Sequence, residues 1–241
     1  MFQNRTYRSL SNRKGLVAFG ATVKETNLHI QAQSDLEDTA VRAVLKAREM
    51  IESYGRIDPS FLTSLAPVKG KFPTPDIVIS MIEAATLANV GPMAAVAGAV
   101  AEFTGRKLLE ATNEVIVENG GDIFMKLDTD AVFGIHAGNS VLSMKTGVRI
   151  QNQGHPIALC TSSGTLGHSK SFGRADAATV VASSCALADA AATALGNRVN
   201  TESDIEAAIE QGAAIPGIQG IIIIKGKSMG AWGDLELVRL S

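Results

Sequence analysis

The chain has few cysteines, and their placement excludes two classes of protein. Two occur among 241 residues, Cys160 and Cys185, and they form no C-x-x-C pair. A zinc site built on paired cysteines and a secreted fold held together by disulfides are therefore both excluded. Two free thiols suit a reducing compartment, so we predict a cytoplasmic protein.

Long apolar runs and an excess of charge of one sign are also missing. The longest aliphatic run, residues 221–224, is far shorter than the ~20 apolar residues of a membrane-spanning helix. Lys and Arg together number 22 and Asp and Glu 24, which gives a net charge of −2. Neither a phosphate backbone nor an anionic lipid surface would attract such a chain. We expect no nucleic-acid and no membrane partner.

Apolar residues are plentiful enough to form a substantial core. They make up 46% of the chain, and its length fits one or two closely packed domains. We predict a single domain over residues 1–241. The Pro- and Lys-rich segment near residues 66–75 is the best candidate for a crossover between two intertwined αβ lobes.

Hydrophobic periodicity and turn residues predict a mixed order of strands and helices. Ser34 with Glu37 is typical of a capping box, and Gly55 and Gly105 are expected to end helices. Strands are predicted within residues 15–33, 114–118, 123–127, 131–136, 157–160, 177–182, 218–225 and 235–240, and helices within 34–55, 75–89, 92–103, 184–195 and 202–211. No regular βαβ repeat is present, so the fold class predicted is α+β, with helices packed on a mixed or antiparallel sheet.

The turn at residues 118–122, Glu-Asn-Gly-Gly-Asp, is the first candidate site. Paired glycines let backbone N–H groups face a ligand, and Asp122 could hold a hydroxyl or a cation. The same residues also suit an ordinary hairpin turn.

A second candidate is the segment at residues 160–169, in which hydroxyl groups, two glycines and His168 follow an apolar strand. Backbone amides and hydroxyls in such a loop can wrap a phosphate or a heteroaromatic ring. A polar surface loop and a serine nucleophile are the alternatives. The nucleophile is the weaker of the two, because the G-x-S-x-G elbow is missing.

The third candidate is an Ala-rich helix that carries Asp189 and Thr193. Residues four apart share one face of a helix, so the carboxylate and the hydroxyl converge. Oxygen ligands of this kind suit Mg²⁺. The alternative is an Asp on an exposed helix face, which fits poorly with the small apolar neighbours.

Three segments, VIVENGGDI, CTSSG and DAATVVASSCALADAAATAL, follow one another along the chain. Together and in this order they resemble the ApbE family, flavin transferases that move FMN from FAD onto a Thr or Ser of a target protein. The resemblance is strongest over residues 90–196 and closest to a branch of ApbE-like proteins without an assigned function. It implies an ApbE-like fold with T-fold-like layers.

In that family, Gly-Gly-Asp, a Thr-Ser-Gly loop and Ala-Asp-x-x-x-Thr surround FAD and Mg²⁺. The resemblance implies metal ligands at Asp189 and Thr193, with the main-chain oxygen of Val96 as a third. It also implies a set of cofactor-binding residues in the turn and the loop, namely Gly120, Gly121, Asp122, Thr161, Ser162, Ser163 and Gly164.

Two departures from the family pattern stand out. The lysine of the family's Ala-Lys-Gly segment is replaced by Ala97, which removes a phosphate contact. The family's His-x-x-Asp-Pro-x-Thr-Gly is reduced here to a segment that keeps His168 and Gly173. His168 is therefore the best available catalytic base.

We accordingly expect a flavin-nucleotide-binding protein that takes FAD and Mg²⁺ and acts as an FAD:protein FMN transferase, releasing AMP and modifying a protein acceptor. The alternative is an accessory protein that makes no transfer and binds another small metabolite, in sulfur or cofactor metabolism. The sequence does not fix the oligomeric state, and a homodimer stays open.

Overall fold

The structure is a computed structural model, and it describes residues 13–151, 154–164 and 173–240. Short 3-10 turns at Pro92–Ala95 and Glu202–Asp204 lead into the fourth and sixth helices. The helices within the described ranges are α1 (Glu37–Ile57), α2 (Pro59–Thr63), α3 (Asp76–Ala88), α4 (Val96–Leu108), α5 (Cys185–Gly196) and α6 (Ile205–Ala213).

Two sheets accompany these helices. The strands in the described residues are β1 (Val17–Val23), β2 (Thr26–Ala32), β3 (Val115–Asn119), β4 (Asp122–Lys126), β5 (Ala131–Gly134), β6 (Thr146–Ile150), β7 (Ile157–Ser162), β8 (Ala177–Ala182), β9 (Ile218–Lys225), β10 (Ser228–Gly233) and β11 (Glu236–Arg239). Eight of these form the larger sheet, in the order β1-β2-β3-β4-β7-β8-β9-β10, and three form the smaller, in the order β11-β6-β5. All these strand pairs are antiparallel. The predicted α+β class is confirmed.

The larger sheet is covered on both faces, which explains its apolar central strands. Helices α1, α4 and α5 pack on one face, and α3 packs on α5 as an outer layer. The smaller sheet contributes Val148 and Ile150 to a second core on the opposite face. Every residue of β8 is buried, as expected for a strand between two apolar layers. The site described below lies where β3, β4 and β7 meet the two buried helices α4 and α5.

The start of α1 differs from the predicted capping box. The helix begins at Glu37 with Leu36 at the N-cap, and no side chain caps it there. Instead, Asp35 Oδ1 accepts the Glu37 N–H at 3.0 Å. A short acidic side chain two residues ahead therefore does what Ser34 was expected to do.

Two glycines predicted to end helices lie inside them. Gly55 is within α1, where an added Cβ would lie 2.4 Å from Leu62, and Gly105 is within α4, where it would lie 2.2 Å from Phe124. Both glycines therefore provide close packing rather than helix termination. The sequence patterns also predict neither β6 nor β10, although both strands form.

The segment near residues 66–75 joins α2 to α3. Its main chain is anchored where the Lys71 N–H donates to the Tyr54 hydroxyl at 2.7 Å. The buried residues on either side of this segment belong to one apolar cluster. A division into two lobes with a crossover here stays a prediction.

No single helix in the described ranges has the length and apolar content needed to cross a membrane. Asp76–Ala88 and Pro92–Leu108 reach those limits only when taken together, and they are bent by 106°.

Candidate functional site

The turn between β3 and β4 is a two-residue hairpin. Gly120 and Gly121 have φ angles of +75° and +116°, which a side chain rarely tolerates. Asn119 and Asp122 form the closing pair of the hairpin. The turn is also tied to the neighbouring strand, because the Gly121 carbonyl accepts the Thr161 N–H at 3.2 Å. The segment is therefore an ordinary hairpin turn that is also hydrogen-bonded to β7.

The end of β7 divides its side chains between the two faces of the sheet. Cys160 points toward the helices, where its Sγ lies 3.5 Å from that of Cys185 on α5. Thr161 points to the other face and shares a 2.9 Å hydroxyl contact with Thr179. The main chain of Thr161, rather than its hydroxyl, therefore lies beside the turn.

The loop that follows β7 is closed at its base. The Gly164 N–H donates to the Ala175 carbonyl at 2.9 Å, and a Cβ on Gly164 would lie 2.3 Å from the Gly173 carbonyl. Ser162 lies near the last residue of α5, since a Cβ on Gly196 would come within 3.6 Å of its hydroxyl. His168, the predicted base, lies outside the described residues.

Helix α5 places Asp189 in the interior. Ala-rich composition favours the helix, and Ser184 caps its start by accepting the Leu187 N–H. Asp189 is 8% exposed, and its Oδ2 accepts the Gly98 N–H from α4 at 2.9 Å. Thr193 is half-buried one turn later on the same face. The carboxylate of the predicted Asp189–Thr193 pair is therefore buried.

The start of α4 fits closely against α5. A Cβ on Gly98 would lie 2.2 Å from the Cys185 carbonyl and 2.9 Å from the Asp189 Cβ, so only glycine allows this approach. On the other side, the Asn119 Nδ2 donates to the Ala97 carbonyl at 3.0 Å. Val96 is the first residue of α4. It precedes Ala97 by one residue and Gly98 by two.

Two buried carboxylates, those of Asp122 and Asp189, lie close enough at this junction to interact electrostatically. Burial and the charge of Asp189 raise the pKa of Asp122 well above its usual range. Burial raises the pKa of Asp189 to about 7, although the N–H groups of Gly98 and Ala97 lower it. An anionic pair at this position is therefore costly, and a proton or a cation between the elements would offset the cost.

The two thiols next to these carboxylates are inert. Burial raises the pKa of Cys185 to about 11 and that of Cys160 well above its usual range. Because the thiolate is the reactive form, neither cysteine is a nucleophile here. Both fill space between β7 and α5.

The structure brings Asp122 near Asp189 and the Thr161 N–H near Asp122, while the Thr161 hydroxyl lies on the opposite face of the sheet. The cofactor-binding roles of the residues in the turn and the loop stay predictions. The assignments of Val96 and Thr193 as metal ligands stay predictions. Among the described residues, no group of three or more His, Cys, Asp or Glu side chains is arranged to hold a metal ion. A cation here would need hydroxyl, carbonyl or external ligands.

The sequence assigned no role to two residues of this junction, although Asn119 lies within the candidate turn at residues 118–122. Asn119 precedes a Gly-Gly turn, where Asn is common for reasons of turn geometry, so its contact with α4 leaves no sequence signal. Glu102 lies on α4 and accepts the Cys185 N–H at 2.7 Å, which places a carboxylate at the start of α5. In the sequence Glu102 looks like any polar helix residue, and its contact with Cys185 becomes evident only when α4 and α5 are packed together.

Two surface cavities lie away from this junction. One of about 200 Å³ lies between the β1–β2 hairpin and α1 and is lined by Lys24 and Arg48 among others. The other, of about 280 Å³, lies between the ends of α3, α5 and α6 and is lined by Asn89 and Arg198 among others. Neither cavity is lined by the candidate site residues.

Comparison with known sequences gives one family and several close relatives. The family model described as "AbpE bacteria" matches residues 8–231. A UPF0280 protein of Methanocaldococcus jannaschii is 42% identical over 224 residues, covering 90% of this chain and 91% of the relative. A UPF0280 protein of Methanococcus aeolicus is 39% identical over 222 residues, covering 89% of each chain.

Comparison with solved structures gives flavin transferases. The flavin transferase ApbE from Vibrio cholerae superposes with a TM-score of 0.55 at 13% identity, covering 90% of this chain and 96% of that one. The ApbE protein from Thermotoga maritima gives a TM-score of 0.52 at 12% identity, with 89% and 96% covered. At these identities the likeness shows a shared fold.

Proposed function

Because this chain belongs to the AbpE bacteria family, we propose that it binds a flavin nucleotide, FAD, together with Mg²⁺. The observation that best supports this proposal is the buried Asp189 carboxylate, which accepts a hydrogen bond from the Gly98 N–H of α4 and lies near Asp122. The structural neighbours include flavin transferases, which supports a flavin as the ligand.

The donor set at this junction suits a hard divalent cation. Asp189 and Thr193 would supply a carboxylate and a hydroxyl from one face of α5, and Val96 would add a main-chain oxygen. These are the oxygen ligands that Mg²⁺ prefers, with water and phosphate completing the shell. A bound Mg²⁺ would neutralise charge on the pyrophosphate of FAD. The raised pKa of Asp189 also supports the proposal, because a cation would offset the cost of the buried charge.

The remaining candidate residues would bind and orient the nucleotide. Gly120 and Gly121 leave the turn free of side chains, which allows a ligand to approach the backbone. Ser162, Ser163 and Gly164 would add hydroxyl and amide donors at the end of β7. Asp122 would face the same ligand from the start of β4.

A transfer reaction at this site would follow from these roles. The hydroxyl of an acceptor protein would bond to the FMN phosphorus, the bond to AMP would break, and His168 would take the hydroxyl proton. The acceptor, the homodimer and the cytoplasmic location are parts of the same proposal.

Incubation of the purified protein with FAD and MgCl₂, followed by gel filtration and nucleotide chromatography, tests the proposal. Because no acceptor protein is present, water would take the place of the acceptor hydroxyl, and we expect flavin absorbance to co-elute with the protein while FAD is slowly cleaved to FMN and AMP. Asp189→Asn should abolish both, whereas Asp35→Asn, which alters an exposed aspartate beside α1, should change neither. Absence of bound flavin in the unaltered protein would contradict the flavin assignment.

The second candidate function is binding without transfer, to FAD or to another small metabolite, as an accessory protein in sulfur or cofactor metabolism. The observation that favours it is Ala97, which stands where the family transferases carry a lysine and whose carbonyl is occupied by Asn119. The same experiment separates the two functions. Tight flavin binding without AMP release, or binding of a different metabolite, would favour the accessory role.

A further inference from the structure

The peptide group between Ala97 and Gly98 is held at both ends. Its carbonyl accepts the Asn119 Nδ2–H at 3.0 Å, and its N–H donates to Asp189 Oδ2 at 2.9 Å. A peptide group is planar and rigid, so the direction of the carbonyl fixes the direction of the N–H. The Asn119 side chain on β3 therefore sets the orientation of the Gly98 N–H, which donates to the Asp189 carboxylate on α5.

We propose that Asn119 is a positioning residue for Asp189, acting through this peptide group. The inference rests on the proposed function in so far as Asp189 is taken to bind a cation. Asn119 would hold one carboxylate oxygen in place through the Gly98 N–H. The other carboxylate oxygen of Asp189 would then keep a fixed direction toward the bound cation.

The neighbouring peptide group makes the arrangement specific to this site. The Ala97 N–H belongs to this neighbouring peptide group and lowers the pKa of Asp189, and the carbonyl of the same peptide group belongs to Val96, the predicted third ligand. A shift of the Ala97 carbonyl would therefore displace the Gly98 N–H that holds Asp189, directly next to the main-chain oxygen of Val96. The backbone at Gly98 also lies in close contact with α5, since a Cβ there would lie 2.2 Å from the Cys185 carbonyl.

The fold gives Asn119 a rigid platform. It is the last residue of β3 and pairs with Asp122 across the hairpin. Two consecutive glycines with positive φ follow it, which fixes where the strand ends. An amide placed in this way can orient a backbone group more precisely than a loop residue could.

The test uses Asn119→Leu, which removes the amide donor at similar volume and adds no charge. Asn27→Leu is the matched control, because Asn27 also donates from a hairpin, to the Thr22 hydroxyl at 2.8 Å, but far from α4. Mn²⁺ serves as the probe, and its binding to the full chain is measured by electron paramagnetic resonance. Loss of a residue that supports a metal ligand typically weakens binding 10- to 100-fold, and we expect a loss in that range for Asn119→Leu and no change for Asn27→Leu.

A second readout does not need the metal. In ¹⁵N–¹H spectra of the metal-free protein, the Gly98 amide proton should move upfield in Asn119→Leu as its hydrogen bond to Asp189 lengthens, and stay in place in Asn27→Leu. An unchanged Gly98 signal, or equal Mn²⁺ affinities in Asn119→Leu and the unaltered protein, would overturn the inference. Failure of the unaltered protein to bind Mn²⁺ would instead count against the proposed function, while the Gly98 signal still tests the positioning role.

If Asn119→Leu does not fold, Asn119→Gln replaces it. Glutamine keeps the donor but displaces it by one methylene group, so the Gly98 signal should shift in the same direction by a smaller amount. A Gly98 signal that is unmoved in this variant would also contradict the inference.

Discussion

At the scale of single residues, Gly98 decides how closely α4 and α5 approach each other. Its missing side chain lets the Gly98 N–H reach Asp189, which is otherwise buried among alanines. A carboxylate in such surroundings needs hydrogen-bond donors. Backbone contact between the two helices supplies them.

Gly98→Ala should therefore destabilise the protein. The added Cβ would lie 2.2 Å from the Cys185 carbonyl oxygen, a backbone atom that cannot turn away. Overpacking of this kind costs about 1–3 kcal/mol, and we expect a loss of that size in the free energy of unfolding measured with urea. The control is Gly20→Ala on β1, where the new Cβ would meet the Leu28 carbonyl at an ordinary 3.5 Å. Equal stabilities of the two variants would show that α4 can move away without cost.

At the scale of elements, α5 is capped from two directions. The Ser184 hydroxyl, at the N-cap of α5, accepts the Leu187 N–H, and the Glu102 carboxylate on α4 accepts the Cys185 N–H at 2.7 Å. An anion at a helix N-terminus satisfies free N–H groups and interacts favourably with the helix dipole. Packing of α4 on α5 therefore includes a polar contact as well as the apolar one.

We predict that Glu102→Ala lowers the free energy of unfolding by about 1–2 kcal/mol, the usual cost of losing a cap. Glu102 is 14% exposed in its side chain, so solvent screens the contact little. Glu110→Ala, two residues beyond the end of α4, provides the comparison, because Glu110 is 64% exposed and forms its ion pair with Lys107. That exposed pair should contribute less than about 1 kcal/mol. Urea denaturation of the two variants measures the difference, and a larger loss in Glu110→Ala would refute the capping role.

Much of the element order could be predicted because its signals are local. The run of isoleucines in β9, the Pro75 entry to α3 and the alternation in β1 and β2 all depend on neighbours in sequence. The failures have a tertiary cause. Gly55 and Gly105 look like helix ends, yet they sit inside helices because Leu62 and Phe124 need the space.

The two unpredicted strands fail for a related reason. β6 and β10 are rich in glycine and small or polar residues, with the sequences TGVRI and SMGAWG. Their propensity for strand is weak, and they form because β11 and β9 offer partners. In the candidate site, likewise, Asp189 and Thr193 follow from helical spacing. Asn119 and Glu102 become visible only when β3, α4 and α5 are packed.

At the scale of the whole molecule, the buried carboxylates link stability to pH. Burial raises the pKa of Asp189 from its usual value of 3.8 to about 7 in the folded protein. Between these values the folded state binds more protons than the unfolded chain, so the free energy of unfolding falls as pH rises. Asp122, with its pKa raised by burial and by Asp189, acts in the same direction.

Other acidic groups act in the opposite direction at lower pH. Hydrogen bonds lower the pKa of Asp58 and of Asp204 below 3.8, so the stability that they contribute is lost only as pH falls below about 4. Glutamates such as Glu52 and Glu202 act in the same way, with pKa values lowered from 4.5. The interval from pH 5 to pH 7 therefore reports on the Asp122–Asp189 pair.

We predict that, with EDTA present, the unaltered protein loses stability between pH 5 and pH 7. A shift from 3.8 to about 7 for one group corresponds to about 4 kcal/mol at 1.36 kcal/mol per unit. Asp189→Asn should reduce this slope, leaving the part that comes from the burial of Asp122, and should be the more stable protein at pH 8, because the amide carries no buried charge. Mg²⁺ should raise the stability of the unaltered protein at pH 8 and have little effect at pH 5, where a proton occupies the pair, since a ligand that binds only the folded state stabilises it by mass action. Urea titrations across pH measure all three effects. A free energy of unfolding that rises from pH 5 to pH 7 in EDTA, or a slope in Asp189→Asn as steep as that of the unaltered protein, would contradict the assignment of Asp189 as the costly charge that the cation relieves.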